Sequence, residues 1–539
     1  MSWPNDGRFD MRDEAHFGDR VVRCFVRRPR SLDEIFRTAV DAAPDADAVV
    51  FDGGRVSYAE LDRTAERLAA NLHRRGLRRG DRLAILIGNA PEFVFAVAAA
   101  ARLGAVAVPL TIREQAEGLG YILNNCGAKA LVFEANLAER LPEFDTLPSL
   151  EQRFAVGGEV AGCEPFEALL DTAAPAPEPP SVEEEDTAVI LYTSGTTGRP
   201  KGAMLTHFNI AHSVIHLEQS LGLGPGERSI LAVPASHVTG LVAIILSMVR
   251  VAGCTVLMRQ FDAPEFVRLA AEERVTHTVI VPAMYNLCLM RADFDAYDLR
   301  AWRVGGFGGA PMPEATITRL GEKLPQLQLV NAYGATETTS PTTAMPPELI
   351  RGHLDSVGLA VACGEVRVMD DNGCEVAPGD PGEIWIGGPM VVPGYWNNAD
   401  ATRENFTAGF WHSGDIGSQD AEGFVRVFDR KKDMINRGGY KVFSAEVENV
   451  LSHCPGVAEA AVVARPDPVL GEKVQAFITA DGADLTEADI KAFCSRHLAD
   501  YQVPDFVTLL PDTLPRNANG KVIKRTLREQ AAAMAEKAG

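Results

Sequence analysis

Strand-like and helix-like segments alternate from Ser57 to Phe133, and no other feature restricts the fold of this chain as much. The stretch SYAELDRTAERLAANLHRRG opens with Ser57 and Glu60 at capping-box spacing, sets Tyr58, Leu61, Ala65, Leu68 and Leu72 on one stripe, and stops at Gly76. It predicts an amphipathic helix. A strand-like LAILI, a helix through Phe95, a strand-like AVAV and then ALVF follow. Strands separated by helices pair in parallel, with the helices laid on the sheet faces, so the fold class is α/β. Similar alternation returns from about Ser229 to Val330.

At 539 residues the chain exceeds what one hydrophobic core fills and predicts two or more domains. DTAAPAPEPPSVEEED, from Asp171 to Asp186, is a proline-rich acidic connector that reads as a surface loop before the run TAVILY. Further on, GEIWIGG and GFVRVFDRKKDMI read as short strands with tight turns. The charge cluster DRKKD, Asp429 to Asp433, interrupts that pattern, and EAAVVA, VQAFIT, a helix from Thr486 and DFVTLL then form a compact α+β unit. The expected division is residues 1–429 and 430–539.

Two apolar stretches, Phe93 to Leu110 and Leu241 to Gly253, tempt a membrane reading. The first is interrupted by Arg102 and Gly104 and closed by Pro109, and the second is too short, so each reads as a buried helix followed by a buried strand. The first thirty residues lack an apolar core of the kind a secretory signal carries, and a cytoplasmic protein is expected. The nine cysteines are odd in number and contain no C-x-x-C pair, which argues against a disulfide framework or a zinc site. A net charge of −21 argues against nucleic acid as a partner.

Residues 191–202 read LYTSGTTGRPKG. A glycine-rich turn after a strand exposes backbone N–H groups, and its hydroxyls and nearby Lys201 supply what a phosphate needs. The spacing is not that of a Walker A loop, because Gly195 and Gly198 are followed by Arg199, Pro200, Lys201 and Gly202.

TSGTTGRPKG closely resembles the phosphate-binding loop of the adenylate-forming superfamily, which comprises acyl-CoA synthetases, peptide-synthetase adenylation domains and luciferases. The resemblance recurs in order along most of the chain and points to the acyl-CoA synthetase branch. NAYGATE resembles the segment in which Tyr333 stacks on adenine, Thr336 touches the α-phosphate and Glu337 holds magnesium. GGAP, Gly308 to Pro311 with Gly309 and Ala310 between, is similar to the adenine-lining segment. WHSGDIG puts Asp415 on the ribose hydroxyls, with Ser413 where threonine is commoner. DRKKDMINRGGYKVFSAEVE resembles the hinge, with Arg430 near the ribose and Lys432 at the pivot. PRNANGKVIKR resembles the loop that delivers a catalytic lysine, here Lys521. The resemblance implies a large N-terminal domain of helix-covered sheets with a β-barrel-like subdomain, and a small mobile C-terminal domain.

The residue types suit the implied chemistry. A carboxylate becomes electrophilic by attacking the α-phosphorus of ATP, and charge then accumulates on phosphate oxygens, which cations stabilise. Lys201 and the loop from Thr193 through Ser194, Gly195, Thr196, Thr197 and Gly198 would hold the departing phosphates. Lys521 would bridge carboxylate and α-phosphate. In the second half-reaction a thiol replaces that lysine; Gly438 and Gly439 would let backbone approach the carbonyl or the pantetheine arm, with Lys441 beside them. The implied cofactors and partners are ATP, Mg2+, coenzyme A and a small carboxylic acid; a homodimer is open to such a chain.

For the acid pocket, drawn from PASHVTGL, VPAMYN and VGGFGG, His237 resembles the family's gate residue beside the carboxylate, with Val238, Thr239, Gly240, Met284, Tyr285, Phe307 and Gly308 around it. Ser236-His237 lacks the aspartate that pairs an α-ammonium, which disfavours an amino acid. A fatty, alicyclic or aryl acid fits. His207, His212 and His216 lack a metal-binding pattern and read as helix-surface or core residues. The competing readings are an adenylating enzyme that loads a carrier protein, and a non-catalytic nucleotide- or acyl-binding regulator.

Overall fold

The computed structural model describes residues 9–171, 180–193, 199–310, 312–480, 485–511, 513–516 and 522–538. The chain forms two compact units, one of Met1–Val366, Trp385–Trp411 and Glu422–Val425, the other of Arg367–Ile384, His412–Ala421 and Arg426–Gly539. The chain therefore passes between them more than once.

The first unit holds the expected alternation. Arg82–Leu86, Pro91–Leu103 and Val106–Pro109 form a parallel β-α-β unit, and helix Ala116–Cys126 leads to strand Ala130–Glu134 on the other side of Arg82–Leu86. These strands are buried on both faces, as strands in a parallel sheet must be. The sheet ends in an antiparallel pair, Thr187–Thr193 with Lys201–Thr206. Helix Tyr58–Arg74 has the Ser57–Glu60 capping box, and Tyr58, Leu61, Ala65, Leu68 and Leu72 are buried along it.

A second, nine-stranded sheet has a parallel centre in the order Gln328–Tyr333, Val304–Phe307, His277–Ile280, Arg228–Leu231, Cys254–Leu257, Asp47–Phe51. Both apolar stretches lie inside this unit. The first is helix Pro91–Leu103 and its strand, as expected. The second departs from a plain helix: Thr239–Leu246 is π-helical, followed by Ser247–Arg250 in α form and strand Cys254–Leu257. Its residues are apolar on every side, so periodicity could not give the pitch. Among the described residues no helix is long and apolar enough to cross a membrane.

An N-terminal hairpin, Met11–His16 with Arg20–Phe25, precedes these sheets. The Arg28 side chain that follows it is fully buried and bonds the carboxylates of Glu14 and Glu184. His16 lies 2.9 Å from Glu185 and 3.1 Å from Glu14. The acidic end of the connector is therefore held by ion pairs rather than loose in solvent, and the Arg28 hydrogen bonds hold the Glu14 carboxyl well below its ordinary range. Residues 172–179 of the connector lie outside the described residues.

In the second unit, strands Ile435–Arg437, Tyr440–Val442, Val457–Asp467, Gly471–Ala480 and Phe506–Leu510 form one sheet with helices Ser444–Ser452, Glu487–Cys494 and Lys524–Ala538. Ile435, Val442, Val447, Leu451, Val462, Val474 and Ile478 make one of its cores. The expected α+β character and the helix start at Thr486 are both present, with Thr486 as N-cap.

Candidate active site

The pairing of Thr187–Thr193 with Lys201–Thr206 puts Thr193 opposite Lys201. Ser194, Gly195, Thr196, Thr197 and Gly198, which join them, lie outside the described residues. The Thr193 hydroxyl lies 3.4 Å from Glu337 Oε1, and the Tyr395 hydroxyl donates to that same oxygen at 2.9 Å. The Lys201 ammonium stands 5.1 Å from the centre of the Tyr395 ring. Glu337 itself is only 7% exposed. Burial, with the adjacent carboxylate, holds the Tyr395 hydroxyl protonated far above the ordinary tyrosine range, so it acts as a donor. Oxygen donors such as Glu337 and Thr193 suit a hard divalent cation.

Thr336 and Glu337 sit in a short turn just past strand Gln328–Tyr333, with Tyr333 at the strand's end. The adenine-lining candidates follow the neighbouring strand, Val304–Phe307. A Cβ on Gly308 would lie 2.2 Å from the Ala332 carbonyl oxygen, so the two strand ends meet at a distance only glycine permits. Gly309 has φ +75° and is exposed, as is Ala310; Pro311 lies outside the described residues.

His237, Val238 and Gly240 follow strand Arg228–Leu231, and Met284 follows His277–Ile280. Arg228–Leu231 pairs in parallel with His277–Ile280, and that strand with Val304–Phe307, so the candidates share one carboxyl edge of the sheet, where α/β folds bind ligands. His237 is exposed, and its Nδ1 accepts the Thr239 N–H at 3.3 Å and lies 3.2 Å from the Thr239 hydroxyl. A Cβ on Gly240 would lie 2.2 Å from the Pro234 carbonyl oxygen.

Tyr285, the remaining aromatic of the expected pocket, lies in the interior. It is fully buried, its hydroxyl is bonded to Thr278 and Gly306 at 3.0 Å each, and its ring stacks on Trp302. The helix histidines are core residues: His207 accepts the Leu32 N–H, and His212 spans Phe208 and Phe25. Burial pushes His207 down to about 4 and His216 to about 3, so they stay neutral.

In the second unit Arg430 Nε lies 2.8 Å from Asp415 Oδ1, and Arg430 also donates to the Ser413 carbonyl at 3.2 Å. The Asp415 N–H donates to the Ser413 hydroxyl at 3.0 Å. The two ribose candidates are thus in contact. Gly438 and Gly439, φ +59° and +95°, form the two-residue turn between Ile435–Arg437 and Tyr440–Val442, a geometry that demands positive φ at both positions. Lys441 is exposed on the second of these strands. Burial, followed by nearby Arg430, Arg528 and Lys524, lowers the Lys432 ammonium pKa. Lys521 lies outside the described residues; its neighbours are anchored, with Ile523 N–H donating to Pro515 O at 2.7 Å and Lys524 bonded to Ser444 and Glu448.

Two residues of consequence escape the sequence reading. Tyr395 is one. Asn89 is the other: its amide nitrogen donates to the carbonyls of Leu231, Val233 and Met258, and its oxygen accepts the Ala235 N–H, fastening the loop that carries His237. The position of Asn89 three residues past the end of strand Arg82–Leu86 is the signal that could have found it.

The family profile described as AMP-binding enzyme matches residues 36–396, and that described as AMP-binding enzyme C-terminal domain matches residues 446–521. A long-chain-fatty-acid–CoA ligase of Mycobacterium tuberculosis is 35% identical over 486 residues, 90% of this chain and 94% of that protein. A feruloyl-CoA synthase of Amycolatopsis is 35% identical over 489 residues, 90% of this chain and 96% of its own length. The o-succinylbenzoate CoA synthetase of Bacillus subtilis, solved with the acyl-adenylate intermediate OSB-AMP, is 28% identical at a TM-score of 0.83, covering 93% of this chain and 99% of its own. That enzyme has also been solved with ATP and a magnesium ion. With the profiles matched across both parts of the sequence, the chain belongs to the AMP-binding enzyme family.

Proposed function

We propose that this enzyme is an ATP-dependent, AMP-forming carboxylic acid–CoA ligase acting on a largely apolar fatty, alicyclic or aryl acid. The observation that carries the reading is the convergence of Thr193, Lys201, Tyr395 and Glu337, with Glu337 at the same carboxyl edge as the acid-pocket candidates.

In the first half-reaction an acid oxygen bonds to the α-phosphorus and the bond to the bridging oxygen breaks, releasing pyrophosphate. Lys201 and the loop hydroxyls hold the departing phosphates, Thr336 meets the α-phosphate, and Tyr333 stacks on adenine. Asp415 takes the ribose hydroxyls, oriented by Arg430. His237 stands beside the acid carboxylate, among Val238, Gly240, Met284, Phe307 and Gly308. Mg2+, held by Glu337 with Thr193 near it, supplies positive charge against the phosphate oxygens when bound. Lys521 adds a point charge between carboxylate and α-phosphate.

In the second half-reaction the CoA thiol adds to the acyl carbonyl and AMP leaves. Gly438, Gly439 and Lys441 attend the pantetheine arm, and Lys432 is the pivot between residues 1–429 and 430–539 that exchanges the two arrangements. The proposed setting is the cytoplasm.

A panel of fatty, cyclic and aromatic acids, assayed for AMP formation with ATP and Mg2+, with and without CoA, tests the proposal. AMP and thioester appearing together only with CoA and a preferred acid support it. Acyl-AMP that accumulates and ignores CoA moves the acceptor to a carrier protein, and silence across the panel overturns the ligase reading.

A further inference from the structure

We infer that Tyr395 is a positioning residue that sets the phosphate-binding cation and the metal-binding carboxylate at a fixed separation, its ring supporting Lys201 and its hydroxyl holding Glu337. The inference rests on the roles proposed above for those two residues.

The side chain is suited to both tasks at once. Its hydroxyl donates to one Glu337 oxygen at 2.9 Å and so fixes that oxygen in place. A ring face attracts an ammonium through its quadrupole without neutralising it. A carboxylate in the same place would hold Lys201 more tightly but would cancel the charge that a phosphate needs. Tyr395 therefore keeps the cation in place and still available.

The backbone around Tyr395 is bonded at nearly every step. Asn209 donates to the carbonyls of Pro389 and Val391, at 2.7 and 3.1 Å. Arg20, from the N-terminal hairpin, donates to those of Val391, Val392 and Pro393. Val392 N–H donates to the Glu337 carbonyl at 3.0 Å, which ties this strap to the carboxylate's own backbone. Gly394 O accepts from Met204 and Trp396 N–H donates to Gly202 O, one residue from Lys201. Tyr395 N–H donates to the Thr402 hydroxyl at 3.0 Å, and Phe406 closes edge-on against the ring at 5.7 Å. The strap is thus joined to the Lys201 strand on one side and to Glu337 on the other. A tyrosine only 4% exposed and so fixed cannot follow either partner, so both follow it.

The test compares the wild type with Tyr395→Phe and Tyr395→Leu, using calorimetric binding of a non-hydrolysable ATP analogue over a range of Mg2+ concentrations, alongside thermal unfolding. Tyr395→Phe keeps the ring and loses the hydroxyl. It is expected to bind the analogue normally without Mg2+ but to need about tenfold more Mg2+ for half-maximal enhancement. Tyr395→Leu loses both contacts and is expected to weaken Mg2+-free binding a further threefold or so. Equal Mg2+ requirements in Tyr395→Phe and wild type overturn the inference, as does a loss in both variants that merely tracks a lowered unfolding temperature. If wild-type binding of the analogue is itself indifferent to Mg2+, the role given to Glu337 fails first, and this inference with it.

Discussion

The side-chain oxygen of Asn89 accepts the Ala235 N–H at 2.8 Å, across 146 residues of sequence. With the three carbonyls that its nitrogen serves, the amide uses its bonding capacity inside the protein and defines the loop from Leu231 to Ala235 that leads to His237.

Asn89→Leu should therefore do two things. It leaves buried carbonyls and an N–H without partners, a destabilisation of about 3 kcal/mol visible in urea unfolding. It also frees the His237 loop, so KM for the acid should rise several-fold while KM for ATP holds. Equal increases in both would remove the special link to the acid site.

The two glycines of the adenine segment should respond differently to alanine. At Gly308 the new Cβ meets backbone at 2.2 Å, and a loss of more than about 3 kcal/mol or a displaced segment is expected. At Gly309 nothing lies within 4 Å, and only left-handed strain of about 1 kcal/mol applies. Denaturant midpoints and nucleotide affinity of the two variants check the contrast.

Lys521→Ala should slow acid-dependent pyrophosphate exchange about a hundredfold, one transition-state charge contact of roughly 3 kcal/mol. Thioester formation from added acyl-AMP and CoA should be nearly unaffected. Full exchange in the variant would falsify the role given to this lysine.

Four buried histidines make stability fall on acidification. Burial holds His207 at about 4, His216 and His277 at about 3, and His212 well below its ordinary value. In the unfolded chain they protonate near pH 6.5, so below that pH the unfolded state binds more protons and the folded state loses ground until the folded pKa is reached. The benefit is complete above about pH 6.5 and is lost toward pH 3. Unfolding free energy measured from pH 7.5 to 5 should decline, and His216→Leu should reduce the slope below pH 6 by about 1.4 kcal/mol per pH unit. An unchanged slope would show that His216 carries no such linkage.

What was legible in the sequence was local or edge-defined. The Ser57–Glu60 box and its apolar stripe specify a helix within one segment, and chemistry-bearing motifs fall where parallel strands end. Tyr395 and Asn89 were not legible because their partners are distant: Glu337 lies 58 residues from Tyr395, and the backbone served by Asn89 lies 142 to 169 residues away. The bonding of Tyr285 was hidden for a related reason. Its hydroxyl is bonded to Thr278 and to Gly306 on the adjoining strand, 21 residues further along the chain, and no local pattern shows that contact.

The π-helix Thr239–Leu246 bears on how this enzyme could change over generations. A π-helical stretch holds a surplus residue relative to α pitch. Losing one residue there would remove the surplus and relax the stretch toward α pitch, re-aiming the side chains within the stretch while its flanks keep their phase. Deletion of Ala243 is expected to leave a folded enzyme whose ranking of acids is altered while its affinity for ATP is kept. A single lost codon could then move several side chains next to Gly240 in one step, where point substitutions change one residue at a time.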